Sequence, residues 1–200
     1  IRENYDLSCE IIDIPIIRDD ELENISIEHN FTLPNNQKFA ERIKNLFYLN
    51  EYIQYYSNID RQGSFSNFVD LLWKKRIQNI NVQKDNLHIE RDKCIIHIAK
   101  ERCETGLFYI NAEKLPQSAL FQLKQDEILG YDETHNGYFI THDIYEEWAL
   151  NKLISRNYAN HSDTKQFFEK LGDSLPIRRA FRLWLSKQLS DNINDIENFV

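Results

Sequence analysis

The segment with the greatest capacity for chemistry is centred on His142. It lies between an apolar, strand-like stretch at 138–141 and a helical pattern that begins near Asp143. A histidine at such a corner can donate a hydrogen bond to a phosphate oxygen, because the backbone N–H groups at a helix start also favour anions. In the structural alternative, Asp143 caps the helix and Glu146, three residues on, completes a capping box. Spacing alone favours the capping interpretation, since caps are commoner than ligand contacts.

The rest of the sequence lacks the residue patterns of the common catalytic sites. Its five glycines are scattered, and they form neither a phosphate-binding Gly-rich loop nor a dinucleotide fingerprint. The sequence also has no His-Glu-x-x-His pair, no Cys-x-x-Cys pair and no serine flanked by glycines. We therefore predict no catalytic residue in these 200 residues.

The cysteines and neighbouring histidines are predicted to be packing residues. Cys94, His97, Cys103 and His88 include metal-ligand types, but they stand among isoleucines and lack the close pairing at turns that zinc sites use. Free cysteine commonly behaves as a small buried hydrophobe. We predict no metal site. Three scattered cysteines in the whole chain also favour a reducing cytoplasm over secretion.

Charge restricts the range of partners. The chain carries a net charge of −8, which repels phosphate backbones and anionic lipid, and no apolar run approaches the roughly 20 residues of a membrane helix. Residues 112–137 hold two basic and five acidic side chains, which argues against DNA binding there. Arg178, Arg179 and Arg182 form a basic cluster, for which a solvated helix face and a phosphate or partner contact are the two interpretations.

Hydrophobic periodicity predicts a mainly α fold with a small β component. Residues 19–57 form a small helical bundle that opens with an acidic first turn at Asp19 and continues in one helical stretch from Phe39 to Tyr56. Residues 58–66 are the best linker candidate. The chain contains no methionine, and we interpret it as an internal piece of a longer protein.

Beyond the linker, the order of elements is that of a winged helix. Two helices are followed by a short strand at 108–110, a third helix at 116–124, and a β-hairpin at 128–141 that turns at Asn136-Gly137. A long helix then begins near Asp143. The rest of the chain, ending in a helix at 175–189, predicts a helical hairpin or the start of a helical array.

The corner segment resembles the Met-His-Asp-type motif in the winged helix of STAND-class P-loop NTPases, the NACHT and NB-ARC group, and is closest to bacterial antiviral members. The residues that carry the resemblance are Thr141-His142-Asp143, with Thr141 in place of Met, and the following Glu147-Trp148-Ala149-Leu150. The resemblance implies that His142 contacts the β-phosphate of bound ADP and holds the resting state. Asp143 and Trp148 support the motif.

The resemblance extends over most of the chain. Arg2, ahead of a strand at 10–14, is similar to the sensor arginine near the end of the NTPase core. Residues 44–49, Lys-Asn-Leu-Phe-Tyr-Leu, look like the lid segment usually written Asn-Pro-Phe-Tyr-Leu, with Leu46 in place of the proline beside the adenine and Phe47 next to it. Residues 68–76 look like the first winged-helix helix, and 175–189 like the start of a sensor array.

The resemblance implies four parts: the last strand of an NTPase core at 1–18, a helical lid at 19–60, a winged helix at 61–157 and the first superstructure helices at 158–200. It implies ATP or ADP with Mg²⁺ as cofactor, held mainly by an N-terminal core absent from this sequence. It also implies a cytoplasmic ATPase switch in antiviral defence that senses a protein ligand through a C-terminal domain and assembles into homo-oligomers.

Two other hypotheses remain open from the residues. One is a winged-helix regulator or scaffold that binds protein or DNA with no nucleotide role. The other is a helical interaction module in which His142 is only a neighbour of the helix cap.

Overall fold

The structure, a computed structural model, describes residues 16–80, 86–160 and 163–191. The chain divides into two compact units after Phe68. The described part is mainly helical and contains one two-stranded antiparallel sheet, which confirms the predicted fold class at this level. The strand predicted at 10–14 and the candidate sensor Arg2 lie outside the described residues.

The first unit is a set of short helices around aromatic side chains. Its elements are α1 (Asp19–Glu28), α2 (Gln37–Ile43), α3 (Leu46–Tyr55), a short 3₁₀ turn (Tyr56–Asn58) and the start of α4 (Phe65–Leu72). Rings meet edge to face, with centroids 5.7 Å apart for Phe39 and Tyr52 and 4.8 Å apart for Tyr48 and Phe65. Such pairs add to the stabilisation from burial.

The single helical stretch expected from Phe39 to Tyr56 is wrong, since the structure has two helices there. The break falls at Asn45, whose side-chain oxygen accepts a hydrogen bond of 3.0 Å from the N–H of Phe47. An asparagine cap satisfies the unpaired donors of a new helix start, so the chain changes direction while the apolar period continues.

The second unit begins within α4, which continues into a π-helical segment (Trp73–Gln78). Its further elements are α5 (Leu87–Thr105), α6 (Gln117–Gln125), β1 (Leu129–Asp132), β2 (Gly137–Ile140), α7 (Asp143–Asn160), α8 (Thr164–Leu171) and α9 (Leu175–Asp191). The core is centred on α5, where Cys94, Ile95, Ile98 and Ala99 are fully buried, and α6, α7 and the π-helical segment pack around it.

The predicted hairpin is confirmed. Strands β1 and β2 pair antiparallel with Gly130 opposite Phe139 and Asp132 opposite Gly137. The turn therefore consists of residues 133–136 and not of Asn136-Gly137: Asn136 takes the left-handed conformation (φ 46°), and Gly137 already belongs to β2. A Cβ atom at Gly130 would lie 2.2 Å from the ring of Phe139, so the ring occupies the space of the missing side chain. The strand expected at 108–110 is reduced to one antiparallel bridge between Ile110 and Tyr138, because Leu107 and Phe108 turn outwards, 60% and 49% exposed.

Candidate functional site

The site is the two-residue corner between β2 and α7. Thr141 joins the corner to the residues just before β1: its N–H donates to the carbonyl of Ile128 over 3.2 Å, and its hydroxyl can donate to the carbonyl of Glu127 at 2.5 Å or to that of Ile128 at 3.0 Å. A hydroxyl is needed for the second bond, which is a local reason for a threonine at this position. The corner therefore holds His142 at the open end of the hairpin, where β2 leads into α7.

His142 is itself the cap of α7. Its Nδ1 accepts a hydrogen bond of 3.1 Å from the N–H of Ile144, and its carbonyl accepts one of 3.0 Å from the N–H of Tyr145. The expectation that Asp143 and Glu146 form a capping box is wrong, because Asp143 is the first helical residue and Glu146 pairs with Arg102. In histidine Nδ1 is bonded to Cγ, as Oδ1 is in asparagine, and it therefore reaches the same helical N–H groups.

Capping determines the tautomer of this exposed ring. A nitrogen that accepts a hydrogen bond carries no proton, so the neutral ring of His142 has its proton on Nε2. A donor on Nε2 is the form that a contact with a phosphate oxygen requires. A phosphate contact would thus use a different nitrogen of the ring from the one that caps the helix.

The electrostatic environment of the corner is acidic. The first turn of α7 holds the carboxylates of Asp143 and Glu146, and Glu147 follows directly; Glu146 lies 3.5 Å from the guanidinium of Arg102. Burial raises the pKa of Glu146 above its ordinary 4.5, although Arg102 acts in the opposite direction. A phosphate beside His142 would need cations from outside this turn, such as a magnesium ion or an arginine on another element.

Trp148 positions α7 and is no ligand contact. Its side chain is 3% exposed, and its ring meets that of Tyr145 edge to face with centroids 5.6 Å apart. The hydroxyl of Tyr145 accepts a hydrogen bond of 3.4 Å from Arg76 at the far side of the core. The aromatic pair thereby fixes the first two turns of the helix that His142 caps.

The two lid candidates lie in the first unit, at the start of α3. Leu46 is 58% exposed, and Phe47 is half-buried with its ring 5.4 Å from that of Tyr48. Both residues follow the Asn45 cap. They belong to a different unit from His142, while Thr141, His142, Asp143 and Trp148 lie together in the second unit.

Sequence reasoning missed a buried charged pair at the start of α5. Arg91, 1% exposed, donates to the carbonyl of Ile77 over 2.6 Å and forms an ion pair of 2.7 Å with Asp126. Asp92, 3% exposed, accepts a hydrogen bond of 2.7 Å from the indole N–H of Trp73. No local signal identifies it, because residues 90–93 are all charged and nothing in that run distinguishes the buried Arg91 and Asp92 from the exposed Lys93.

The thiols are packing groups. Burial raises the pKa of Cys94 to about 12 and that of Cys103 to about 11, so both remain protonated at neutral pH. His97 is exposed and lies 4.0 Å from Glu101 on the same helix. Among the residues that the structure describes, no three His, Cys, Asp or Glu side chains are grouped to hold a metal ion.

No known protein-family model matches this chain, and no curated protein is significantly similar to it. Within the described ranges, every helix is too short or too polar to cross a lipid bilayer.

Proposed function

We propose that this chain is the lid, winged helix and first superstructure helices of a STAND-type ATPase switch, in which His142 contacts the phosphate of bound ADP. The observation that carries the proposal is the acceptance of the Ile144 N–H by Nδ1, which leaves the proton on Nε2 of an exposed ring. The order α4, α5, Ile110 bridge, α6, hairpin is consistent with a winged helix, with β1 and β2 as the wing.

In this proposal the chain biases an equilibrium between a closed state, which holds ADP, and an open state. ADP and Mg²⁺ supply a charged diphosphate held mainly by a P-loop core, and His142 donates one hydrogen bond to it in the closed state. A hydrogen bond to a charged group is worth about 1.5–3 kcal/mol, which corresponds to a bias of about ten- to a hundredfold. Thr141 and Trp148 hold the corner in place, and Leu46 and Phe47 belong to the lid.

The wider context is proposed from the same resemblance. The protein works in the cytoplasm of bacteria, senses a protein ligand of an invader through a C-terminal domain, and assembles into a homo-oligomer when ATP replaces ADP. The wing and α6 are poor DNA surfaces: neither β1 nor β2 contains a lysine or arginine, and the one basic side chain of α6, Lys124, lies over the ring of Tyr131 at 5.5 Å. Phosphate contacts need such charges.

The test separates the two nitrogens of His142 in the full-length protein. Asparagine keeps an acceptor at the Nδ1 position and removes the Nε2 donor, whereas glutamine places an amide N–H near Nε2 and removes the cap. We expect His142→Asn and His142→Ala to release ADP about ten- to a hundredfold faster and to raise basal activity. We expect His142→Gln to retain ADP more strongly than either.

Stability measurements on the 200-residue chain provide the control. Loss of the cap in His142→Ala and His142→Gln should cost about 1 kcal/mol, while His142→Asn should unfold like the parent chain. ADP release that is unchanged in His142→Asn, with normal stability, would show that His142 is only a cap.

The second candidate is a winged-helix regulator or scaffold that binds protein or DNA without a nucleotide. It is favoured by Phe121, which is 60% exposed on α6 where a winged helix usually carries its contact residues. A gel-shift titration at low salt and an ADP titration of the full-length protein distinguish the candidates. The STAND proposal expects ADP binding that depends on position 142 and no sequence-specific DNA complex.

A further inference from the structure

A groove of about 420 Å³ lies between α7 and α9 in the second unit. Its α7 wall includes Asp143, Glu147 and Leu150, and its α9 wall includes Leu175, Arg179 and Leu183. The volume falls within the range of sites that hold ligands or side chains of a partner.

The walls of the groove are fixed to each other beneath it. The indole N–H of Trp184, on the buried side of α9, donates a hydrogen bond of 3.1 Å to the hydroxyl of Ser155 on α7. Trp184 is 1% exposed and Ala180 is 3% exposed, so α9 packs closely on α7. The groove is thus a property of the packed helix pair.

The rim of the groove is apolar and open to solvent. Leu175 is 77% exposed and Leu183 is 39% exposed, on the same wall, two turns apart. The stretch of α7 that lines the opposite wall, from Asp143 to Leu150, is about 10 Å long, and the stretch of α9 from Leu175 to Leu183 is about 12 Å long. Two parallel stretches of two turns each match the contact length of a short helix better than that of a compact small molecule.

The charges of the groove indicate the sign of its partner. In the part of the chain that the structure describes, Asp143 and Glu147 form no ion pair, and the third carboxylate, Glu146, is paired with Arg102. One cation, Arg179, faces them from the α9 wall. Carboxylates are therefore in excess on the α7 wall, and a cationic partner is complementary to it.

We propose that this groove binds a short amphipathic helix of a protein partner. Aliphatic side chains of the partner pack against Leu175 and Leu183, and a lysine or arginine at its edge pairs with Asp143 and Glu147. This interaction does not require a nucleotide role for His142, although Asp143 of the groove is the next residue in the chain.

The test uses the 200-residue chain and a synthetic helical peptide of about 18 residues built from leucine on one face and lysine on the other. A matched peptide with glutamate in place of lysine tests whether binding depends on the sign of the peptide's charge. Binding is followed by fluorescence polarisation of labelled peptide. We expect saturable binding of the lysine peptide and binding of the glutamate peptide at least about tenfold weaker.

Variants locate the binding site. Two variants should each weaken binding of the lysine peptide by about fivefold or more: Glu147→Lys reverses a charge of the groove, and Leu183→Ser removes an apolar contact at its rim. Glu133→Lys, in the hairpin turn and outside the groove lining, makes the same change in net charge and should alter binding by less than about twofold. Leu183→Ser leaves the charge unchanged, so it tests the site even if Glu147→Lys fails to fold.

Three results would overturn the proposal. These are equal weakening by Glu147→Lys and Glu133→Lys, equal affinity for the two peptides, or no saturable binding up to about 1 mM peptide. The first two would show attraction to the net acidic charge of the chain alone, and the third would show that the groove binds no such helix.

Discussion

The carboxylate of Asp92 joins three elements of the second unit, and its removal should be strongly destabilising. It accepts hydrogen bonds of 2.7 Å from the indole N–H of Trp73 and 3.3 Å from the amide of Gln78, and it pairs with Arg156 on α7. Asp92→Ala leaves the N–H of Trp73, a side chain only 2% exposed, without its acceptor. A buried donor left unpaired costs about 1–3 kcal/mol, and bonds to a charged group are worth about 1.5–3 kcal/mol.

Arg156 moderates this cost, because its side chain is 46% exposed and returns to water when the partner is removed. We therefore expect Asp92→Ala to lower the free energy of unfolding of the second unit by about 3 kcal/mol. Asp92→Asn keeps one acceptor for Trp73 and should cost about half as much.

Urea unfolding followed by tryptophan fluorescence measures this cost selectively. The three tryptophans, Trp73, Trp148 and Trp184, all lie in the second unit and are buried. With a slope of about 2 kcal/mol per M, a loss of about 3 kcal/mol moves the midpoint down by about 1.5 M. The control is Asp70→Ala, which breaks the more exposed ion pair with Lys152 and should cost less than about 1 kcal/mol.

A double-mutant cycle tests the assignment to Trp73. In a Trp73→Phe background the donor is already absent, so Asp92→Ala should cost about 1–2 kcal/mol less than in the parent chain. The explanation fails if Asp92→Ala costs no more than Asp70→Ala, or if its cost is the same in both backgrounds.

Elements with local signals could be predicted from the sequence. The acidic first turn at Asp19 predicted α1, the Asn136-Gly137 pair predicted the hairpin, and the apolar period after Asp143 predicted α7; all three are confirmed. Each signal is contained within a short stretch of chain, because caps and short hairpin turns are satisfied by their own neighbours.

The buried charged pair could not be predicted because its partners are distant in sequence. Arg91 bonds to the carbonyl of Ile77 and to Asp126, and Asp92 bonds to Trp73 and Arg156. Periodicity identifies which face of α5 is buried, but the partner of a charge on that face is determined by how the helices pack.

The capping prediction at the corner identified the right interaction and the wrong residue. Rules for caps rank serine, threonine, aspartate and asparagine, so Asp143 was chosen over the histidine before it. In the structure Nδ1 of His142 performs this role, and the two interpretations of the residue are no longer alternatives. Because Nδ1 accepts the capping hydrogen bond, the proton of the neutral ring lies on Nε2, where a phosphate contact would need a donor.

Two further predictions concern the surroundings of the corner. Gly130→Ala places a Cβ atom 2.2 Å from the ring of Phe139 and should lower the free energy of unfolding in urea by about 1–3 kcal/mol. Adding Phe139→Leu to the Gly130→Ala chain should restore part of the lost stability. A double variant that is no more stable than Gly130→Ala would contradict the steric cause. Glu146 has a raised pKa through burial, so its folded form binds a proton more readily and its contribution to stability falls as the pH rises through that pKa. Glu146→Gln, which keeps an acceptor for Arg102, should therefore gain stability relative to the parent chain as the pH rises from 4.5 to 7. A stability difference that is constant over this range, or one that changes in the opposite direction, would show that the pair with Arg102 outweighs the burial of the carboxylate.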